Sequence, residues 1–212
     1  MNPLNVLFHD VQQNSDEWFQ MRVGRVGGSS ISKIMANFGK AFGQPAKDFA
    51  VKIALEQITG SRSESGYSNA HMERGTLQEP IARALYEDEF FCDVSNGGFF
   101  ELGQDVGVSP DGLVYEDGQI EIKSVIETTH YATLTRKKFD PAYQWQLYFC
   151  LMVTGREWVD FVSFCADFPE GKRLFTDRIY RDKSTDKFEM ISTRMNEFRA
   201  LVNEAKQVIL SA

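Results

Sequence analysis

VGVSPDGLVYEDGQIEIKSV, residues 106–125, is the stretch that decides the fold. Short apolar runs at 106–109, 112–115 and 119–125 are separated by the turn pairs Asp111-Gly112 and Asp117-Gly118, the pattern of antiparallel β-ribbon. Along the last run, strand alternation sends Glu121 and Lys123 to one face and Ile122 to the opposite, apolar one. Folding the ribbon back brings Asp111, at the end of a strand, beside Glu121. Two adjacent carboxylates repel and are costly to ionise unless a cation lies between them. Oxygen donors select a hard ion, Mg²⁺ with Mn²⁺ as a substitute, and the Ile122 carbonyl lies within reach of it. Hydrolysis of a phosphodiester needs an activated water and neutralised charge, which such an ion and the Lys123 ammonium supply together. Taken alone, E-x-K reads as a weak ion pair on a solvated hairpin. S-P-D-G at hairpin distance favours the metal centre.

Upstream the chain reads as helix. Residues 14–22 begin with a cap at Asn14 or Ser15 and acids in the first turn. Gly27-Gly28-Ser29-Ser30 introduces a short second helix to about Asn37, and residues 45–59 form an amphipathic helix through Phe49, Ile53, Ala54 and Ile58, stopped by Gly60. Residues 61–69 are a polar loop, and 71–90 return to helical spacing with Leu77, Ile81, Leu85 and Phe90 on one face. A β-like run is expected over 92–102, ahead of the ribbon, with a turn signal at Asn96-Gly97-Gly98. Downstream, helices are expected over 128–137 and 141–153, the second with Pro141 at its start and Gly155 beyond its end. Strands over 157–166 and 174–181 and a closing helix over 184–210 complete an α/β chain, with helices flanking a mixed central sheet in one domain of residues 1–212.

Composition sets the limits. The 212 residues, 42% hydrophobic and 25% charged, suit one well-buried domain rather than a disordered chain. Seventeen phenylalanines are first a packing signal. A net charge of −7 argues against a protein that coats nucleic acid over its whole surface, while leaving room for one that grips DNA in a confined channel. No signal peptide or membrane-spanning run is seen, and the odd, dispersed Cys92, Cys150 and Cys165 read as buried free thiols, so a cytoplasmic protein is expected. The absence of CxxC or a Cys/His pair argues against structural zinc.

An acid, a short hairpin and E-x-K resemble the PD-(D/E)XK nuclease superfamily, with its restriction-endonuclease-like core. Four ordered blocks extend the resemblance to the lambda-exonuclease and YqaJ-type viral recombinase family: EWFQMRVGRVGGSSISKIM (17–35), ERGTLQEPIARALYE (73–87), VGVSPDGLVYEDGQIEIKS (106–124) and YQWQLYFCLMVTGREWVDF (143–161). The resemblance implies that Glu79 is a further acid at the metal and that Gln146, rather than Gln144, is the glutamine beside it. It implies that Arg22 and Ser29 hold a 5′-terminal phosphate, with Arg25 and Ser109 close by. Arginine presents a planar fork to phosphate oxygens, and Ser29 stands at the entry of a helix. One departure is evident: the phosphate-pocket arginine expected shortly after E-x-K is missing, Thr129 and His130 standing in that region and Arg136 further on. The implied activity is a 5′-to-3′ exonuclease that degrades one strand of linear double-stranded DNA to mononucleotides, leaving a 3′ single-stranded tail for phage-type DNA recombination. The implied assembly is a homotrimer ring, working with a single-strand annealing protein in a bacterial host or prophage setting. A structure-specific endonuclease on the same core, or a catalytically idle DNA-binding loader of the annealing protein, are the alternatives.

Overall fold

The structure, a computed structural model, describes residues 5–63 and 70–211, with the side chains of 70–72 left aside. Most of the loop expected over 61–69 therefore lies outside the described residues. The elements follow in the order β1 (Val6–His9), α1 (Asp16–Met21), α2 (Ile31–Met35), α3 (Gln44–Thr59), α4 (Ala70–Phe90), β2 (Val94–Ser95), β3 (Phe99–Leu102), β4 (Val106–Val108), β5 (Gly112–Val114), β6 (Gly118–Ser124), α5 (Glu127–Arg136), α6 (Gln144–Thr154), β7 (Trp158–Phe164), β8 (Leu174–Tyr180) and α7 (Thr185–Ser211). Helix boundaries follow local chemistry. The Ser15 hydroxyl accepts from the Trp18 N–H at the start of α1, and Gly60 and Gly155 end α3 and α6 in the left-handed conformation.

Two sheets form. β2, β5, β6, β7 and β8 make a mixed five-stranded sheet in that order, parallel only between β6 and β7; β1, β3 and β4 form a smaller antiparallel one. The β-like run expected over 92–102 is thus two strands in different sheets, parted at Asn96-Gly97-Gly98. The Asn96-Gly97-Gly98 turn signal marks the break, but a period-two pattern cannot show that each half pairs with a different partner.

The central strands show how the sheet is covered. On β7, Trp158, Val162 and Phe164 pack with Ala82 and Tyr86 of α4, while Val159 and Phe161 pack with Leu147 and Leu151 of α6. On β6, Ile120 and Ile122 join the α4 side. By alternation Gln119, Glu121 and Lys123 belong to the α6 side, and Glu121 is only 2% exposed. Beyond α6, helices α2, α3 and α7 build a further apolar cluster around Ile34, Phe49, Ile53, Phe149 and Phe198.

Two expected helix faces are corrected. On α4, Leu77, Ile81 and Phe90 are exposed, and the seam against the sheet is made by Ala82 and Tyr86, whose hydroxyl donates to the buried Asp160 carboxylate at 2.6 Å. Of the expected face Leu85 does pack against this cluster, and a small residue and a hydrogen-bonded tyrosine fill the rest of the space in place of Leu77 and Ile81. Ile58, near the end of α3, is likewise exposed, whereas Phe49, Ile53 and Ala54 are buried. Cys150 and Cys165 are buried and Cys92 half-buried, all three as free thiols.

Candidate metal centre

Asp111 sits just before β5, where the Arg83 guanidinium of α4 donates to its carbonyl oxygen. Its carboxylate reaches sideways past the end of β5 and accepts the Ile122 N–H at 2.6 Å. A strand residue points its N–H and C=O toward the same edge, so the Ile122 carbonyl is directed to the side where Asp111 lies. Gly97, between β2 and β3, supports this corner from behind. A Cβ on Gly97 would overlap the Pro110 carbonyl oxygen, and the Gln13 side chain donates to that oxygen at 2.7 Å.

Glu121 is held from two directions on the α6 face. The Lys123 ammonium donates to its Oε1 at 2.6 Å, and the Gln146 side-chain amide of α6 donates to the same oxygen. Gln146 lies on the inner side of α6 because its helix continues a 3₁₀ turn at Pro141–Tyr143, whose Tyr143 ring stands 5.3 Å from the Lys123 ammonium. Glu79 arrives from α4 on the opposite side of the sheet and pairs with Arg83 at 3.7 Å, one helical turn away. Together Glu79, Asp111, Ile122 and Lys123 line a cleft of about 580 Å³ that continues past Arg74, Ser124 and Thr129.

The electrostatics follow from packing these groups together. Burial raises the Glu121 carboxyl to about 7, with further lifting by Asp111 and Glu79 and opposition from Lys123. Burial and the Asp111 charge likewise raise Glu79 to about 7. Burial also raises Asp111, against Lys123, the Ile122 N–H and Arg83. Burial works to lower the Lys123 ammonium, but Glu121 and Asp111 outweigh it and push the ammonium above its usual range. Lys123 is therefore a fixed cation at neutral pH, suited to stabilising negative charge and unsuited to accepting a proton.

Whether a divalent ion fits here is decided by the donor set. Among the described residues, no group of three or more His, Cys, Asp or Glu side chains is arranged as a ready cage for an ion. Asp111 and Glu121 nonetheless offer two hard carboxylates beside a strand-edge carbonyl, and all three acids are displaced upward, first by burial, so that their ionised forms would gain from a bound cation. Magnesium keeps several waters and needs only one or two protein carboxylates, so this open, oxygen-only set suits it.

The expected phosphate-binding residues are placed unequally. Arg22 lies with its guanidinium 4.2 Å from the centre of the Trp18 ring, and Trp18 donates to the Ser109 hydroxyl at 2.7 Å. Arg25 is committed elsewhere, to Glu101 at 2.8 Å and to the Met21 carbonyl at 2.6 Å. Ser29 is exposed within a 3₁₀ turn, Gly28–Ser30, while its neighbour Ser30 faces the cavity that Arg22 lines. Arg83 and Tyr143 were not anticipated from the sequence. The spacing of Glu79 and Arg83 at i and i+4 was the available signal for the first.

Gly28 joins the two regions. A Cβ there would come within 2.7 Å of the Cys150 Sγ and 3.5 Å of the Gln146 Cγ, so the first turn of α6 and the Arg22 segment pack backbone against side chain. Cys150 is fully enclosed, and burial pushes its thiol well above the ordinary range. Gly28→Ala is expected to destabilise the protein by about 1–3 kcal/mol through overpacking. Denaturant titration measures this, and an unchanged midpoint would show that the contact yields freely.

The YqaJ-like viral recombinase domain matches residues 17–157, which include Arg22, Glu79, Asp111, Glu121, Lys123 and Gln146. The chain belongs to this family. Among solved structures, the family member resembles an alkaline exonuclease, LHK-Exo, from Laribacter hongkongensis. The structure of LHK-Exo in complex with dAMP is 32% identical, with 93% of this chain and 99% of that chain covered and a TM-score of 0.78. A second structure of LHK-Exo gives 31% identity over the same shares and a TM-score of 0.77. A phage related exonuclease from Haemophilus somnus 129PT, 18% identical over 88% of this chain and 96% of that one, shares the fold with a TM-score of 0.65. No functionally curated protein matches the sequence. Among the described residues, no helix is long and apolar enough to cross a membrane.

Proposed function

We propose that residues 1–212 act as one nuclease domain, a Mg²⁺-dependent 5′-to-3′ exonuclease that degrades one strand of linear duplex DNA. The observation that carries this reading is the convergence of Asp111, Glu121 and the Ile122 edge on Lys123 at the end of a cleft. Family membership supports it, as does the likeness to LHK-Exo, solved with dAMP, a mononucleotide of the kind the reaction would release.

Asp111, Glu121 and the Ile122 carbonyl would hold Mg²⁺, or Mn²⁺ in its place, with Glu79 contributing through a second ion or bound water. The ion would lower the pKa of a bound water and polarise the scissile phosphate. Gln146 holds Glu121 Oε1 through its side-chain amide and leaves the second oxygen for the ion. Lys123 orients the attacking water and stabilises charge developing on phosphate oxygens. Arg22, backed by the Trp18 ring, holds the 5′-terminal phosphate, with Ser29, Arg25 and Ser109 around it. By resemblance, three copies form a ring around the duplex, and a single-strand annealing protein takes the 3′ tail. A ring also reconciles a net charge of −7 with DNA binding, because only the channel wall needs to be positive.

The test uses duplexes labelled at either the 5′ or the 3′ end, together with a covalently closed circle, all with Mg²⁺. The 5′ label is expected to be released first as mononucleotide while the circle survives. Cutting of the circle would establish an endonuclease on the same core instead. Absence of both cleavage and calorimetrically detectable Mg²⁺ binding would leave an idle DNA-binding loader.

A further inference from the structure

Between α3 and the segment joining α1 to α2 lies a small cavity of about 110 Å³. Among the described residues its wall carries four cations, Arg22, Arg25, Lys52 and Arg62, against one carboxylate, Glu56. That carboxylate is largely spent: it is 4% exposed, accepts the Gly24 N–H at 2.9 Å and the Ser63 N–H at 3.1 Å, and lies 3.7 Å from Lys52. Arg25 is balanced by Glu101 outside the cavity. The excess positive charge therefore rests on Arg22 and Arg62.

These two guanidiniums are positioned by neighbouring rings of α1. Arg22 lies 4.2 Å from the Trp18 ring centre and Arg62 4.3 Å from that of Phe19, and the two rings meet edge to face at 5.1 Å. Burial, and then the Arg62 charge, lower the Arg22 guanidinium, so the pair is held in mutual repulsion. Neither Gly27 nor Ser30 crowds the space. A Cβ on Gly27 would touch the Arg22 Nη2 at 3.5 Å, and Ser30 adds a hydroxyl to the wall. A small volume, open on the Arg62 side, with two like charges, a third cation on α3 and a hydroxyl calls for a compact anion with several acceptor oxygens.

We propose that Arg62 and Lys52 are specificity-determining residues that bind the 5′-terminal phosphate in this cavity together with Arg22, supplying from α3 and the loop after it the positive charge that the segment following E-x-K lacks. This rests on the exonuclease reading and extends it: Gly27 and Ser30 of the cavity wall flank Gly28, which packs on Gln146 and Cys150 beside the metal centre.

The experiment compares cleavage rates on 5′-phosphorylated and 5′-hydroxyl duplexes, and thermal stabilisation by inorganic phosphate against chloride at equal ionic strength. Arg62→Ala is expected to lower the phosphate-to-hydroxyl rate ratio about tenfold, the loss typical of a charge-assisted hydrogen bond. Lys52→Gln should shift the ratio the same way, and Arg62→Lys should retain more of it than alanine does. Inorganic phosphate should raise the melting temperature of the wild type and not of Arg62→Ala. An unchanged ratio in both charge-removing variants, or equal stabilisation of wild type and Arg62→Ala by phosphate, overturns the proposal. Should the wild type degrade no DNA, the exonuclease reading fails by itself. Phosphate stabilisation lost in Arg62→Ala would then still support the anion site.

Discussion

Lys123→Ala is expected to reduce DNA cleavage by about 10²–10³-fold, the loss seen when a single charge-stabilising donor is removed from an active site. Its ammonium is 2.6 Å from Glu121 and is held above its usual pKa range by Glu121 and Asp111, so its positive charge is present across the working pH range. Removal does more than delete a cation. Glu121, only 2% exposed, would lose the opposite charge that offsets its burial and would hold its proton more tightly. Asp111→Asn should be at least as severe, about 10³-fold, because an amide keeps an acceptor for the Ile122 N–H while removing a charge from the ion's donor set. Single-turnover rates at saturating Mg²⁺ measure both, and near wild-type cleavage by either variant removes the assignment.

The metal-free protein is expected to lose stability as pH rises from about 4.5 to about 7. Glu121 ionises near 4.5 when unfolded and at about 7 when folded. The folded state therefore binds its proton more tightly, and this contribution is complete below 4.5, declines through the interval and is gone above 7. For Glu121 alone the swing is on the order of 3 kcal/mol. Glu79 acts in the same direction with a smaller share, since it is about a third exposed. The carboxyls titrate as a coupled set, so the shares do not simply add. Melting temperatures with chelator from pH 5 to pH 8 should fall, Mg²⁺ should restore stability at pH 8 far more than at pH 5, and Glu121→Gln should flatten the slope. A profile equally steep in Glu121→Gln would show that other groups govern it.

How far the sequence alone reaches depends on the range of the interaction. Local rules placed the Ser15 cap, the Gly60 and Gly155 stops and the alternation that sets Glu121 and Lys123 against Ile122. Gln146 came from the resemblance, and the structure puts its amide on Glu121. Contacts between distant segments were beyond those rules. The division of residues 92–102 between two sheets depends on separate partners, and the true face of α4 depends on Asp160 waiting on β7 for the Tyr86 hydroxyl. Arg62 and Lys52 look like ordinary surface cations until α3 is folded against α1 and their charges meet Arg22 across one cavity. The 3₁₀ turn ahead of α2 is as fine a detail: it leaves Ser29 exposed and turns Ser30 to the cavity wall.

Strand β6 carries the acid and the lysine on one side and Ile120 and Ile122 on the other, so a single backbone serves hydrolysis and the interior at once. A frame shift of one position, from a lone insertion or deletion in the turn before it, would bury the charges under α4 and turn the isoleucines toward α6. Loss of chemistry and loss of foldability are thus a single event on this strand. Single-residue insertions in this turn are accordingly expected to abolish activity and folding together, whereas paired insertions, which return the strand to phase, are expected to be tolerated better.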